Sequence, residues 1–228
     1  MNDMFLVSGA FETNDRWPLR LIKLDAGESR AFDYTRGTYY VMLQNASYYS
    51  DNVKLEDVNG ALSINNHFTI KCNKGTAVVI EYPGLRLLES RYYVQDHLGM
   101  GNLSYMDGGT NTTAINPGRL GDPVINYVHF PRGMEQTLHT HPSHRVGMVL
   151  SGHGLVETGI YTDGLQEMVE LNKGDVFFMQ RNVLHNFMCP YDEDVVLFVF
   201  APDSGTGPTD EVNPLKIRTY VGQQRYAR

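Results

Sequence analysis

Short apolar runs recur along the whole chain, and they limit what it can fold into more than any other feature of the sequence. The runs are rich in Val, Ile, Tyr and Phe, which favour β-strands, and they are bounded by Gly, Asn, Asp and Pro. They cover residues 19–24, 38–43, 68–72, 77–81, 124–130, 146–150, 176–179 and 195–201. Signals for helices are nearly absent. We therefore predict an all-β fold, either a barrel or a sandwich.

The two halves of the chain resemble a degenerate repeat. A turn at Gly27 and a later one at Gly75 in the first half correspond to turns at Gly133 and Gly174 in the second. For example, Lys-Gly-Thr-Ala-Val-Val-Ile in the first half matches Lys-Gly-Asp-Val-Phe-Phe-Met in the second. Order and spacing agree although identity is weak, which indicates two copies of one structural unit.

The length of the chain is compatible with two such units. At 228 residues there is room for one large all-β domain or for two domains of about a hundred residues each. The apolar periodicity lapses between residues 98 and 123, where Gly, Asn, Thr and Asp dominate. We predict an N-terminal barrel over 1–97, a connecting segment over 98–123 that can carry a strand or two, and a C-terminal barrel over 124–228.

The charge of the chain favours a small molecule as its partner. The net charge is −7 and no run of Lys or Arg occurs, whereas nucleic acids and anionic membranes need a concentrated positive surface. No apolar stretch approaches the roughly 20 residues that span a bilayer, and residues 4–11 lack the basic flank of a signal peptide. We therefore expect a cytoplasmic protein. Cys72 and Cys189 fall in different halves, so we expect two reduced, buried thiols.

A pair of histidines in the second half has the spacing of metal ligands. Side chains two apart on a strand point to the same face, so His139 and His141 present two imidazoles side by side. The same alternation places Glu135 and Thr137 on that face. A His-x-His pair alone is weak support for a metal site, because such pairs also occur by chance and on wet surfaces.

The residues around this pair form a longer frame. Gly133 lies six residues before His139, Gly152 closes the next strand, and His185 follows eleven residues after Gly174. Over residues 133–189 this frame resembles the two signature motifs of the cupin superfamily, Gly-x5-His-x-His-x3or4-Glu-x6-Gly and Gly-x5-Pro-x-Gly-x2-His-x3-Asn.

The resemblance implies a fold and a metal site. The fold would be two double-stranded β-helix (jelly-roll) barrels of the cupin type in tandem. Carried over position by position, His139, His141 and His185 match the three metal-binding histidines of the family. Three imidazoles with open positions suit Fe(II), Zn, Ni, Mn or Cu. Fe(II) is the first choice, because some three-His relatives are oxygen-using iron enzymes. The alternative is a barrel that keeps three inward histidines without metal.

The sequence departs from the family motifs at four positions. Arg145 stands where the family has its Glu ligand, seven residues before the glycine that closes the strand. Gln180 and Asn182 replace the turn Pro and Gly, and Cys189 replaces the final Asn. The change at residue 182 is mild, since Asn tolerates the left-handed backbone that Gly would otherwise supply.

Arg145 is the departure with the largest consequence. A guanidinium about 6 Å from a dication would cost roughly 5 kcal/mol at an effective dielectric near 20. Arg145 must therefore swing away, pair with a carboxylate such as Glu135 or Glu157, or clamp an anionic substrate. His144 is a candidate fourth ligand if the chain slips by one residue after Pro142; strict alternation instead turns it away, to the surface or beside the ligands.

The first half has no matching ligands. The same frame puts Asp33 and Thr35 at the paired-histidine positions and Arg86 at the last one. We therefore expect no metal there, and a first barrel that serves as packing partner and dimer surface. Exposed sheet edges favour a homodimer.

Two classes of function fit this pattern. The first is a metal-dependent enzyme acting on a small anionic molecule, with Arg145 as substrate clamp and Glu135 as acid/base group. Its sharpest version is a dioxygenase; the resemblance also allows a lyase, isomerase or decarboxylase. The second is a non-catalytic protein that binds a sugar or an organic acid.

Overall fold

The computed structural model describes residues 4–33, 37–83, 85–159, 167–205 and 207, and the backbone of 220–221 and 224–225. The first nine strands are β1 (Met4–Leu6), β2 (Ala10–Thr13), β3 (Leu19–Leu24), β4 (Ser29–Phe32), β5 (Thr38–Tyr49), β6 (Lys54–Ile64), β7 (Phe68–Lys71), β8 (Thr76–Tyr82) and β9 (Arg91–Val94). The next nine are β10 (Leu103–Ser104), β11 (Thr110–Ile115), β12 (Val124–Phe130), β13 (Arg145–Ser151), β14 (His153–Thr158), β15 (Glu167–Asn172), β16 (Val176–Met179), β17 (His185–Met188) and β18 (Val195–Ala201). Short strands β19 (Tyr220–Val221) and β20 (Gln224–Arg225) pair with each other.

The predicted all-β fold is confirmed. Within the described ranges, the one helical element is a 3-10 turn at Met106–Gly108, and no helix there has the length and apolar character to cross a membrane. The first barrel is an antiparallel sheet in the order β2-β3-β8-β5-β6-β9, with β4 and β7 joined to it through β5. The second has a seven-stranded sheet, β1-β16-β13-β18-β12-β11-β10, and a three-stranded sheet, β15-β14-β17. The two barrels lie in tandem along the chain.

The N-terminal strand belongs to the second barrel. β1 pairs with β16, with Phe5 opposite Phe178, and Met4 is buried in the second barrel's core. Without β1, β16 would be an open edge of that sheet, so the pairing covers an edge that would otherwise expose its backbone. β1 therefore packs in the second barrel, although the predicted boundary assigns residues 1–97 to the first. β10 and β11, from the segment 98–123, extend the same sheet at its other edge.

The two barrels share an apolar core. Alternate residues of β5 face opposite ways: Val41 points into the first barrel, whereas Tyr40 and Met42 face the second. They meet Val146 and Phe200 of the second barrel's large sheet, with the rings of Tyr40 and Phe200 5.1 Å apart. Strands buried on both faces read as continuous apolar runs rather than as alternating ones, which explains the pattern of β5.

Aromatic side chains fill the interior of the first barrel. The ring of Phe68 lies 4.9 Å from Phe32, 5.2 Å from Tyr39 and 5.6 Å from Tyr48. Two of the three positions that correspond to the metal ligands are not inside this barrel: the side chain of Asp33 is 99% exposed, and Arg86 is exposed. The third, Thr35, lies outside the described residues.

Both cysteines are buried free thiols, as the sequence predicts. Cys72 packs inside the first barrel and Cys189 inside the second. Burial raises the pKa of each thiol to about 11. Neither is therefore a ready thiolate at neutral pH.

Candidate metal centre

Three histidines converge at one end of the second barrel. His139, His141 and His185 bring ring nitrogens within 4.8 Å of one another. Two of them are held together by the backbone, because the N–H groups of His139 and His185 each donate to the other's carbonyl at 3.0 Å. The ring of His141 lies 4.8 Å from that of His139 and 5.0 Å from that of His185. The predicted convergence of these three residues is confirmed.

Backbone carbonyls set the tautomer of two of the rings. Nδ1 of His139 lies 2.8 Å from the Thr137 carbonyl oxygen, and Nδ1 of His185 lies 2.9 Å from that of Val183. A carbonyl can only accept, so each Nδ1 carries the proton and each Nε2 keeps a lone pair. This is the arrangement in which an imidazole ligates a metal while its other nitrogen is held by a neighbour. The donor set therefore fits a divalent transition metal.

The protein environment keeps His141 and His185 neutral. Burial lowers the pKa of His141 to about 3, with the charge of Arg145 and the neighbouring rings of His185 and His139 acting in the same direction. Burial also lowers the pKa of His185 to about 4, although the Val183 carbonyl opposes the shift. At neutral pH these imidazoles have no proton to lose before they bind a metal.

Two backbone turns, at Asn182 before β17 and at Gly152 after β13, support the three histidines. Asn182 has φ 61°, so it adopts the left-handed backbone expected where the family has Gly. Its N–H donates to the carbonyl of His141 at 2.7 Å, which ties the turn before β17 to the second ligand. Gly152 has φ 84°, and a Cβ there would lie 2.1 Å from the carbonyl oxygen of Asp194. Only glycine therefore fits at position 152, directly after the end of β13.

The histidines line a cavity of about 390 Å³ between the seven-stranded and the three-stranded sheets. Aliphatic and aromatic side chains form much of its wall: Val124, Val128, Phe130, Phe177, Met179, Phe187, Leu197 and Val199. Its polar lining comprises Tyr105, Asn111, Thr113, Asn126, Gln136, Arg145, Asp203 and Ser204. A Cβ on Gly147 would lie 2.0 Å from Cζ of Phe177, so glycine at this position lets the Phe177 ring lie against β13. The size of the cavity and its mixture of apolar and polar side chains suit a small organic molecule.

Arg145 points into this cavity and is already paired. Its Nη1 donates to Oγ of Ser143 at 2.6 Å and to the carbonyls of Ser143 at 3.2 Å and His144 at 2.9 Å. Oδ1 of Asp203 lies 3.9 Å from Nη1 and also accepts a hydrogen bond from the Ser143 hydroxyl. Burial lowers the pKa of Arg145 while the charge of Asp203 raises it, and guanidinium stays protonated in proteins.

Asp203 is therefore the carboxylate partner of Arg145, in place of the expected Glu135 or Glu157. It follows β18, 58 positions after Arg145 in the sequence, and the antiparallel pairing of Val146 with Phe200 brings it alongside. The repeat and the motif frame carry no information on this pairing. The register of β13 against β18 would have been needed to find it.

The expectation that Glu135 shares the histidine face is wrong. Glu135 is exposed, whereas its neighbour Gln136 is buried and lines the cavity. The strict alternation fails between Gln136 and His139, which both face inward three residues apart. At this point Thr137 is held outward, because its N–H and hydroxyl donate to the carboxylate of Asp107 at 2.7 and 2.9 Å. The stretch between Gln136 and His139 thus contains one residue more than strict alternation allows. As a result, the side chains before it point to the opposite face from the one that alternation predicts.

His144 lies outside the group formed by His139, His141 and His185. Its Nδ1 accepts the N–H of Arg181 at 3.2 Å, so Nε2 carries the proton and donates to Oδ2 of Asp15 at 2.5 Å. The ring packs 4.9 Å from that of Phe178, on the face that β13 turns toward the first barrel. Strict alternation along β13 therefore holds here, although the side chain is buried rather than at the surface.

Comparisons with known proteins agree with this geometry. Residues 126–201 match the profile of the cupin domain family, and no curated protein matches the sequence. One similar solved structure is a Cupin 2 conserved barrel domain protein from Leptotrichia buccalis, with TM-score 0.54 and 18% identity, covering 87% of this chain and 89% of that one. At such low identity the likeness shows the fold alone.

Two further structures have comparable likeness. An IolB-like protein from Salmonella typhimurium has TM-score 0.60 and 14% identity, covering 88% of this chain and 93% of that one. Oxalate decarboxylase from Lactobacillus farciminis, solved as a formate complex, has TM-score 0.54 and 13% identity, covering 89% and 86%. The alignments extend over most of each chain, so the two-barrel arrangement as a whole is shared.

Proposed function

We propose that this chain, of which residues 126–201 match the cupin domain family and which brings three histidines together in its second barrel, is a metal-dependent enzyme acting on a small anionic molecule. His139, His141 and His185 hold the metal. One observation carries the proposal: three imidazoles with two fixed Nε2 lone pairs meet at the end of a cavity that also contains a largely buried arginine, Arg145.

The charges of the cavity favour an anion once metal is bound. Among the described residues that line it, Arg145 contributes one positive charge and Asp203 one negative charge, while His141 and His185 are neutral. A divalent ion would leave a net charge of about +2 in a poorly hydrated space, where charges interact strongly. A carboxylate compensates part of that charge.

Arg145 can clamp such a carboxylate without leaving its present partners. All of its hydrogen bonds within the described residues use Nη1. The edge formed by Nε and Nη2 is the fork that binds a carboxylate through two parallel hydrogen bonds. Because Glu135 lies outside the cavity, Asp203 takes its place in the proposal as the carboxylate for proton transfer.

A bound divalent metal would supply Lewis-acid activation of the substrate, and iron would add oxygen chemistry. Dioxygenase chemistry with Fe(II) is the finer form of the proposal, with Zn, Ni, Mn and Cu as alternative metals. A decarboxylase or lyase is the second candidate. It is supported by the oxalate decarboxylases among the structural neighbours, one of them, from Bacillus subtilis, described with Mn(II) centres.

Metal analysis tests the metal-binding part. Protein purified without chelator should contain a divalent metal at about one per chain, and His185→Ala should lose it. His67→Ala, which removes an exposed histidine of the first barrel, is the matched control and should keep it. Oxygen uptake and product formation with small carboxylates then separate dioxygenase from decarboxylase chemistry. Equal metal content in wild type and His185→Ala would overturn the proposal, and anion binding without turnover of any carboxylate would favour the non-catalytic alternative.

A further inference from the structure

Three uncharged polar side chains form a patch on the wall of the cavity. Asn111 and Thr113 of β11 and Asn126 of β12 all line the cavity, and the pairing of the two strands places Thr113 directly opposite Asn126. All three residues are half-buried, so each still has surface that another molecule can contact. We refer to these three residues as the polar patch.

The side chains of the polar patch are free to bind a ligand. Thr112, which alternates with them on β11, uses its hydroxyl within the protein, where it accepts the N–H of Asn102 at 2.9 Å. In contrast, no member of the polar patch has a side-chain hydrogen bond to another described residue. Their amide and hydroxyl groups therefore bind water or a ligand in the cavity.

The polar patch lies across the seven-stranded sheet from Arg145. β18 separates β13 from β12, and β11 follows β12. Neighbouring strands lie about 4.8 Å apart, so β12 is about 10 Å and β11 about 14 Å from the strand of Arg145. An extended six-carbon chain spans about 6 Å, at roughly 1.3 Å per bond, and the Arg145 and Asn126 side chains cover much of the rest. A two-carbon acid held by Arg145 is too short to reach the polar patch.

The wall between Arg145 and the polar patch is apolar. Val199 of β18 lies opposite Asn126 on one side and opposite Gly147 on the other, and both Val199 and Ala201 line the cavity. The middle of a bridging ligand would contact this wall through its C–H groups. Apart from the histidines, Arg145 and its partner Asp203 are the charged side chains among the described lining residues. The end of the ligand at the polar patch is therefore polar but uncharged.

We propose that the cavity binds a carboxylate with a hydroxylated chain of about five or six carbons, such as a sugar acid, whose distal hydroxyl groups hydrogen-bond to the polar patch. This inference rests on the proposed function, because Arg145 and the metal bind the carboxylate end. A hydroxyl group both donates and accepts, as Asn amides and the Thr hydroxyl do. An alkyl chain of the same length displaces water from the polar patch without replacing its hydrogen bonds, so the site discriminates against it.

Calorimetry with matched acids tests this inference. Zinc-loaded protein, which avoids redox chemistry, is titrated with gluconate and with 2-hydroxyhexanoate. The two acids have the same chain length and the same 2-hydroxycarboxylate end for Arg145 and the metal, and they differ in the hydroxyl groups further along the chain. We expect gluconate to bind about tenfold more tightly, the size of one net hydrogen bond. Glycolate, which has the same end group but cannot reach the polar patch, should bind more weakly than gluconate.

Substitutions in the polar patch assign the preference to its residues. Asn126→Leu keeps the branched shape of the side chain and removes the amide, so the ratio of gluconate to 2-hydroxyhexanoate affinity should fall to about one or below, while glycolate affinity stays unchanged. Thr113→Val should lower the ratio in the same direction, and it decides the question if Asn126→Leu does not fold. Asn116→Leu, the same substitution at an exposed residue directly after β11, is the control and should leave the ratio unchanged.

The outcomes separate this inference from the proposed function. Wild-type protein that binds glycolate but does not prefer gluconate over 2-hydroxyhexanoate overturns the role of the polar patch and leaves the anion site intact. A gluconate preference that persists unchanged in Asn126→Leu and Thr113→Val also overturns it, because other groups would then recognise the hydroxyls. Zinc-loaded protein that binds none of the three acids refutes the anionic substrate itself, and the inference falls with it.

Discussion

Asp203→Asn is the substitution that most directly tests the electrostatics of the cavity. It removes the charge that faces Arg145 but keeps an oxygen that can accept from the Ser143 hydroxyl. At the observed Nη1 to Oδ1 distance of 3.9 Å, the gross attraction at an effective dielectric of 20 is about 4 kcal/mol. Arg145 has 16% and Asp203 28% of its side chain exposed, so water screens part of this energy.

We expect a net loss of about 1–2 kcal/mol of unfolding free energy, between the values for exposed and buried pairs. For a chain of this length that corresponds to a fall in Tm of about 2–8 °C. Ligand binding should change in two directions. Without Asp203 the cavity gains one positive charge, so a divalent metal should bind more weakly and a carboxylate more tightly.

Thermal unfolding of metal-free protein, zinc titration and carboxylate calorimetry measure the three effects. Asp192→Asn is the matched control: its partner Arg132 lies 2.8 Å away, but the Asp192 side chain is 92% exposed, and we expect almost no change. Asp203→Asn with unchanged zinc and carboxylate affinities would refute the reasoning, because the pair would then have no electrostatic influence on the cavity.

Four other predictions concern the site and the assembly. Arg145→Lys should keep the metal but weaken carboxylate binding about tenfold to a hundredfold in calorimetry, since it loses the planar fork, whereas Arg145→Glu should raise metal affinity and abolish carboxylate binding. Gly147→Ala should cost about 1–3 kcal/mol in urea unfolding, because its Cβ would meet the Phe177 ring. In the unfolded chain His141 and His185 are protonated below about pH 6.5, whereas in the metal-free folded chain they are protonated only near pH 3 and pH 4. The free energy of unfolding should therefore fall as the pH drops from 6.5 toward 4, by up to roughly 1.4 kcal/mol per pH unit for each histidine. A free energy of unfolding in urea that stays constant over that range would contradict the assignment. Light scattering at micromolar concentration should show a homodimer, and a monodisperse monomer would contradict it.

The features that the sequence predicts well are those set by local spacing. The glycines at the motif turns and the histidines between them share one short stretch of chain, so residues 133–189 suffice to locate the three clustered histidines. Asn182 illustrates the same point: the backbone conformation of a single turn position follows from the residue type that the motif replaces, and φ 61° agrees with it. No relation between distant segments is needed for either prediction.

The features that were missed depend on pairing between distant segments or on a single irregular residue. Asp203 reaches Arg145 only through the register of β13 against β18, and β1 joins β16 across most of the chain length. Glu135 was misplaced because the period of a strand is two, so one extra residue before His139 exchanges inside and outside. That irregularity is fixed by Asp107, which lies 30 positions earlier than Thr137 in the sequence.

Side chains along β13 alternate between two faces, so this strand connects the first barrel to the cavity of the second. Arg145 points into the cavity lined by the three histidines, while its neighbours His144 and Val146 point toward the first barrel. His144 donates to Asp15 of that barrel, and Val146 packs in the shared apolar core. Any shift of the first barrel would therefore move the backbone that positions Arg145. This coupling gives a physical reason for a chain to keep a barrel whose own interior is filled by aromatic rings, because that barrel holds the wall of the site in place.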